Sequence, residues 1–275
     1  MPKTVQTETQ APPSALERLE AGVSALLSSG KWKAVLEAQR RFHHYSFRNA
    51  LLIFAQCPAA TRVAGYQVWK SLGRQVKKGE KGLCILAPLI KHDQAGNKSV
   101  YGVRNVYVFD LSQTEGDDLP ETPPLTLLEG EFSDLKRFQC RLEAWLTSQN
   151  ITLERKVLPK AMSGVYNSKT HHITVSSTLS PNAAFKTLIH ESAHALLHRE
   201  STERTQAELE AESCAYLVCA ELGLDTGSYS FAYLADWTPE VQKVLEAGQK
   251  ATLAAKQILA VVVPPTAIQD QQEAA

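Results

Sequence analysis

Apolar and polar positions follow two rhythms along the chain, and the changes of rhythm mark its elements. A helical period runs through Leu16–Leu27 and again through Trp32–Ala55. Strand-like runs follow at Leu83–Ile90 and Val100–Phe109, joined by a loop from Lys91 to Lys98. Gly164–Val175 predicts a hairpin that turns at Asn167-Ser168-Lys169-Thr170. Ser180 and Pro181 then offer a cap and a first turn for a helix that continues through Leu197. A second helical stretch spans Glu203–Leu222. This mixture predicts an α+β protein.

Charge divides the chain in two. The formal net charge is +0, yet the stretch through Asp110 holds 16 Lys+Arg against 7 Asp+Glu, and the remainder 13 against 22. Such a separation points to two modules with different partners. Between them Gln113–Pro124 is acidic, proline-bearing and without period, as a linker is. The expected organisation is a small basic α+β domain over 14–111, a linker over 112–131 and a mostly helical domain over 132–262. Residues 1–13 and 263–275 are expected to be disordered.

Composition excludes some classes. An apolar content of 44% suits a globular protein. No run of eighteen apolar residues and no N-terminal hydrophobic region occur, so neither a membrane span nor a secretion signal is expected. The run Ile258–Val263 is short and stopped by Pro264-Pro265. Five cysteines without a C-x-x-C pair suggest small core residues in a reducing, cytoplasmic setting.

The chemistry concentrates at His190-Glu191-Ser192-Ala193-His194, an H-E-x-x-H on the first of the two late helices. Positions i and i+4 share a face, so both imidazoles can bind one metal ion, and Glu191 can act as general base toward a water activated there. On the second helix Glu208, Ala211, Glu212, Ala215, Cys219 and Leu222 form one stripe, with Glu210 on the opposite side. Two carboxylates within an apolar stripe need positive partners. Glu208 is therefore the expected third ligand, and Glu212 the acceptor that fixes the tautomer of a ligand histidine, though the two could exchange roles. Two His and one Glu match a catalytic zinc site with an open fourth position. His198 lies about 12 Å along a straight helix from His190, too far to share its ion, and is expected at the helix end near the cleft. His171 and His172 are adjacent on a strand, so at most one could face the site.

The first module interleaves cations with aromatics: Trp32, Arg40, Arg41, Phe42, Tyr45, Arg48, Trp69, Arg74, and the lysines of Val76-Lys77-Lys78-Gly79-Glu80-Lys81-Gly82. Lysines on a turn can meet phosphates and exposed rings can stack unpaired bases, a pattern suited to single strands. Core packing of the rings and plain solvation of the lysines is the competing reading. No helix-turn-helix or RNP motif stands out.

Longer strings add a resemblance. Ser46-Phe47-Arg48-Asn49-Ala50-Leu51-Leu52-Ile53, Gln56-Cys57-Pro58, Val63-Ala64-Gly65-Tyr66 with Trp69, Gly73–Gly82 and Ile85-Leu86-Ala87-Pro88 resemble the N-terminal domain of ArdC-type antirestriction proteins. The half carrying His190-Glu191-x-x-His194 and Glu208-x-x-x-Glu212 is similar to ArdC-type and to ImmA/IrrE-type metallopeptidase domains. The resemblance implies a single-stranded DNA-binding domain followed by a zincin-like metallopeptidase domain, with one divalent metal, zinc expected, held by His190, His194 and Glu208. Glu191 would be the base and Glu212 the supporting carboxylate. Tyr45, Arg48, Asn49, Trp69, Arg74, Lys77, Lys78 and Lys81 would be the DNA contacts. Tyr166, Tyr229 and His198 are candidate transition-state donors. The implied partners are single-stranded DNA and a protein or peptide substrate, and the implied role lies in protecting incoming plasmid DNA from restriction. Two alternatives stay open: a regulatory protease that cleaves a repressor, and a DNA-masking protein whose metal is structural.

Overall fold

The computed structural model of the protein describes residues 32–92, 98–119, 132–160, 162–199, 203–224 and 240–263. The expected helix Leu16–Leu27, the terminal segments 1–13 and 264–275, Tyr229 and most of the expected linker lie outside them. The helical stretch Trp32–Ala55 is two helices, α1 (Trp32–Arg41) and α2 (Phe47–Gln56). Ser46 divides them: its backbone is extended and its side chain accepts from the Asn49 N–H. Apolar spacing runs through this break because both helices bury residues in the same core.

After α2 come β1 (Val63–Gly65), the short helix α3 (Tyr66–Ser71), β2 (Arg74–Val76), β3 (Leu83–His92) and β4 (Lys98–Asp110). β3 and β4 pair antiparallel, with a register shift at Leu89/Ile90, and β1 lies on the other side of β4. A 3-10 turn at Leu111–Gln113 leads into β5 (Thr114–Gly116), which pairs with β2. The chain thus stays in the first half past the boundary expected at 111. Asp110 fixes the corner: its buried carboxylate accepts from the N–H groups of Thr61, Arg62 and Ser112 and from the Ser112 hydroxyl.

The second half contains α4 (Phe132–Ser148), β6 (Thr152–Lys156), β7 (Gly164–Asn167), β8 (His172–Ser176), α5 (Pro181–Leu197), α6 (Arg204–Glu221) and α7 (Val241–Val262). β8 runs parallel to β6 and antiparallel to β7, in the order β6-β8-β7, which leaves β7 at an edge. The hairpin and both helices of the metal motif stand where the sequence predicts them. Pro181 opens α5 at a position whose N–H has no helical partner to lose.

One continuous core joins the halves. Trp32 of α1 donates from Nε1 to Ser213 Oγ of α6 at 2.9 Å, and the Tyr216 hydroxyl donates to Glu37. Phe47 is fully buried, and a Cβ on Gly248 of α7 would collide with its ring. Only glycine lets α7 approach α2 so closely, and burial of a ring such as Phe47 contributes roughly 1.5–3 kcal/mol. All five cysteines are free, with Cys84, Cys214 and Cys219 buried. Among the described residues no helix is long and apolar enough to cross a membrane.

Candidate metal centre

α5 and α6 pack side by side, and each contributes to one cluster. Nε2 of His190 and Nε2 of His194 lie 3.1 Å apart, with Glu208 Oε2 at 3.4 Å from the first and 3.8 Å from the second. Donor atoms of all three residues fall within 4.8 Å of one another, the only such group of three or more metal-ligating side chains among the described residues. Two ring nitrogens 3.1 Å apart beside a carboxylate can share a proton between them, or in its place a cation. His190 donates from its other nitrogen, Nδ1, to Glu212 Oε2 at 3.1 Å, and in the neutral ring this leaves Nε2 with its lone pair for a cation. The donor set therefore fits a divalent cation.

The same logic governs the protonation of the cluster. Burial would lower the His190 pKa, but the carboxylates of Glu208 and Glu212 outweigh it and raise it to about 9. Hydrogen bonds from His190 and His194 hold the Glu208 carboxyl well below the usual range. Burial pushes the Glu191 carboxyl up, against the pull of His190 and His194. Glu191 is 6% exposed, and its carboxylate accepts from the Tyr166 N–H on β7. Gly164 makes that approach possible: a Cβ there would stand 2.5 Å from Thr187 Cγ2 and 3.0 Å from Glu191 Oε1.

The cluster opens into a cleft of about 680 Å³ lined by β7, α5 and the start of α6, with Lys186 and Arg204 among its walls. His198 caps the C-terminus of α5 and lines the cleft, as expected, but both of its ring nitrogens are engaged, with His194 and with Glu210. Glu210 occupies the side of α6 that the stripe assigns to it. It lies opposite the Glu208 stripe and is nonetheless fully buried, because α6 is packed around most of its circumference. Periodicity on one helix could not reveal this, since α1 and α7 cover the far side. Glu208, at 44% side-chain exposure, is the more open of the motif's carboxylates and Glu212, at 19%, the more buried. His171 and His172 bond Tyr166 and Thr152 respectively, away from the cluster.

The first half places its expected contacts differently. Trp69 is 2% exposed and donates from Nε1 to the Phe109 carbonyl, so no base can stack on it: it is a core residue. Asn49 accepts from the Leu86 N–H and donates to the Leu86 carbonyl, both at 2.9 Å, and Gln56 does the same to Cys84. These amides cover the outer edge of β3 as a neighbouring strand would. Arg74 donates to Thr114, Gly116 and Asp117, tying β2 to β5. Lys77 donates to the Ser112 carbonyl, and the half-buried Tyr45 donates to the Val63 carbonyl. Five expected DNA contacts are thus engaged within the fold. Arg48 is half-buried, and Lys78 and Lys81 are exposed on their turn. Charge and aromatic content could not separate these groups, because both readings use the same residue types. Outward on β4 stand Tyr101, Val103 and Tyr107, each more than 60% exposed.

Fold and site together define an α+β protein with a candidate divalent-metal centre built by two helices. Residues 14–117 match the family of the N-terminal domain of anti-restriction factor ArdC. That match makes this segment similar to an ArdC N-terminal domain. Its fold is similar to the crystal structure of the antirestriction ArdC protein from the R388 plasmid. Against the metal-free form the TM-score is 0.60 at 21% identity, covering 90% of this chain and 98% of that one. Against the Mn(II)-bound form the TM-score is 0.53, again at 21% identity, covering 80% and 89%. An uncharacterized protein of Bacillus anthracis, pXO2-81, is 27% identical over 75% of this chain and 43% of its own length. The chain therefore spans less than half of that relative.

Proposed function

We propose that the protein is a metal-dependent peptidase that also binds single-stranded DNA and acts in antirestriction. The observation that carries the catalytic part is the convergence of His190 Nε2, His194 Nε2 and Glu208 beside the buried Glu191. His190, His194 and Glu208 would hold one divalent ion, and two imidazoles with one carboxylate suit zinc. Such an ion, when bound, lowers the pKa of water and polarises a carbonyl.

The chain's own groups supply the rest. Glu191 accepts a proton at its carboxylate, and burial raises its proton affinity toward the value a base needs if it must pass that proton on. Glu212 holds His190 in the tautomer that leaves Nε2 unprotonated. The edge of β7 offers backbone N–H and C=O groups to an extended peptide. Of the three groups considered as donors to a developing oxyanion, His198 has both ring nitrogens engaged and Tyr229 lies outside the described residues. Tyr166 lines the cleft, but its hydroxyl is bonded to His171, so it would have to leave that partner to serve as the donor.

For DNA, the surfaces available are the exposed Lys78 and Lys81, the half-buried Arg48 and the outward Tyr101 and Tyr107. Kinship with ArdC supports this half of the reading. The test is a digest of a defined peptide library by the parent and by Glu191→Gln, with metal content measured in both. Cleavage by the parent and none by a metal-loaded Glu191→Gln is expected. Equal cleavage by both sinks the catalytic reading, and protection of DNA in cells by Glu191→Gln would favour a masking protein instead.

A further inference from the structure

A hydrogen-bonded path leads away from the metal centre on the side opposite Glu212. His194 Nδ1 lies 2.8 Å from His198 Nδ1, and His198 Nε2 lies 2.9 Å from Glu210 Oε2. Glu210 is fully buried and also accepts from Gln206 at 2.8 Å and from Lys250 of α7 at 3.3 Å. A carboxylate is expensive to bury, and here three donors converge on it from three helix segments.

The direction of the path follows from the ligand role. If Nε2 of His194 is a metal donor, its proton sits on Nδ1 and is donated to His198 Nδ1. His198 must then carry its own proton on Nε2 and donate it to Glu210. Resting on the metal reading above, we propose that His198 and Glu210 are positioning residues for His194, an outer layer matching what Glu212 does for His190. The metal affinity of the centre then depends on a histidine that cannot reach the ion and on a carboxylate anchored from α7.

The test is a Mn²⁺ titration of the whole chain, with free ion read by electron paramagnetic resonance, on the parent, His198→Ala and His198→Asn. Thermal midpoints of the metal-free proteins are measured alongside. Loss of an outer-layer partner weakens binding about 10–100-fold, which is the expectation for His198→Ala. The amide oxygen introduced by His198→Asn can accept from His194 Nδ1–H, so this variant should recover most of the affinity. Parent-like affinity in a folded His198→Ala overturns the proposal. Should that variant fail to fold, ¹⁵N spectroscopy of the intact protein decides. A proton on His198 Nε2 is expected, and a proton on Nδ1 overturns the assignment. A parent that takes up no Mn²⁺ overturns the metal reading itself, and this inference with it.

Discussion

The two halves of the protein use the same kinds of polar side chain to opposite ends. In the first half Asn49, Gln56, Arg74, Lys77 and Asp110 all turn toward backbone, where they cover a strand edge, clamp β2 to β5 or hold a corner. Around α5 and α6, by contrast, Glu212 and His198 hold the rings of His190 and His194 so that one nitrogen of each is left aimed at Glu208. Residue type does not distinguish the two situations. What distinguishes them is whether the donors and acceptors close among themselves or leave a set aimed at a common point.

The strongest way to sharpen that contrast is Glu191→Gln, which removes the proposed base without changing shape. Cleavage should fall by about 10²–10⁴-fold while bound metal and thermal midpoint stay close to the parent's. The first half should answer an analogous change in stability rather than in chemistry. Asp110→Asn leaves the N–H groups of Thr61, Arg62 and Ser112 facing an amide, and should cost about 3 kcal/mol by urea denaturation with no effect on metal uptake. Its pH dependence has a definite sign. Burial alone would push the Asp110 carboxyl up, but hydrogen bonds from Ser112, Thr61 and Arg62 outweigh it and lower its pKa. A lowered folded-state pKa stabilises above the unfolded value of about 4, and the gain is lost as pH falls through the folded value. The gap between parent and Asp110→Asn should therefore be full near neutrality and close in acid.

Legibility followed the range of the interactions involved. His190, Glu191 and His194 could be read because their relation is one turn of one helix, and Glu208 and Glu212 because their spacing repeats that turn on the next. The strands Leu83–His92 and Lys98–Asp110 showed as apolar, β-branched and aromatic runs. Glu210 could not be read: its burial is decided by α1 and α7, which the local pattern does not contain. Ser46 was hidden for a related reason, since a cap interrupts hydrogen bonds without interrupting the apolar period. Trp69 and Asn49 looked like surface chemistry because aromatic and amide groups serve a strand edge and a base equally well.

Gly164→Ala tests the contact between the two kinds of region, a strand edge laid against the base. The added methyl meets Thr187 and Glu191, so it should cost about 2 kcal/mol and reduce cleavage more than that loss of stability explains. A fully active Gly164→Ala would mean that the seat of Glu191 tolerates displacement.

The smallest effects separate engaged from available groups within the first half. Asn49→Ala uncovers the N–H and C=O of Leu86 and should destabilise by about 1–2 kcal/mol while leaving single-stranded DNA affinity at the parent's value. Lys78→Ala and Lys81→Ala should do the reverse, shifting stability by less than about 0.5 kcal/mol. Each should also reduce the slope of log K against log salt by about 0.7, measured by fluorescence anisotropy with a labelled single strand. The slope is the decisive quantity, because an indirect effect through folding changes the fraction of competent protein at every salt concentration alike. If Asn49→Ala changes the slope and the lysine variants do not, the DNA lies along β3 and the amide that covers its edge must be displaced to admit it.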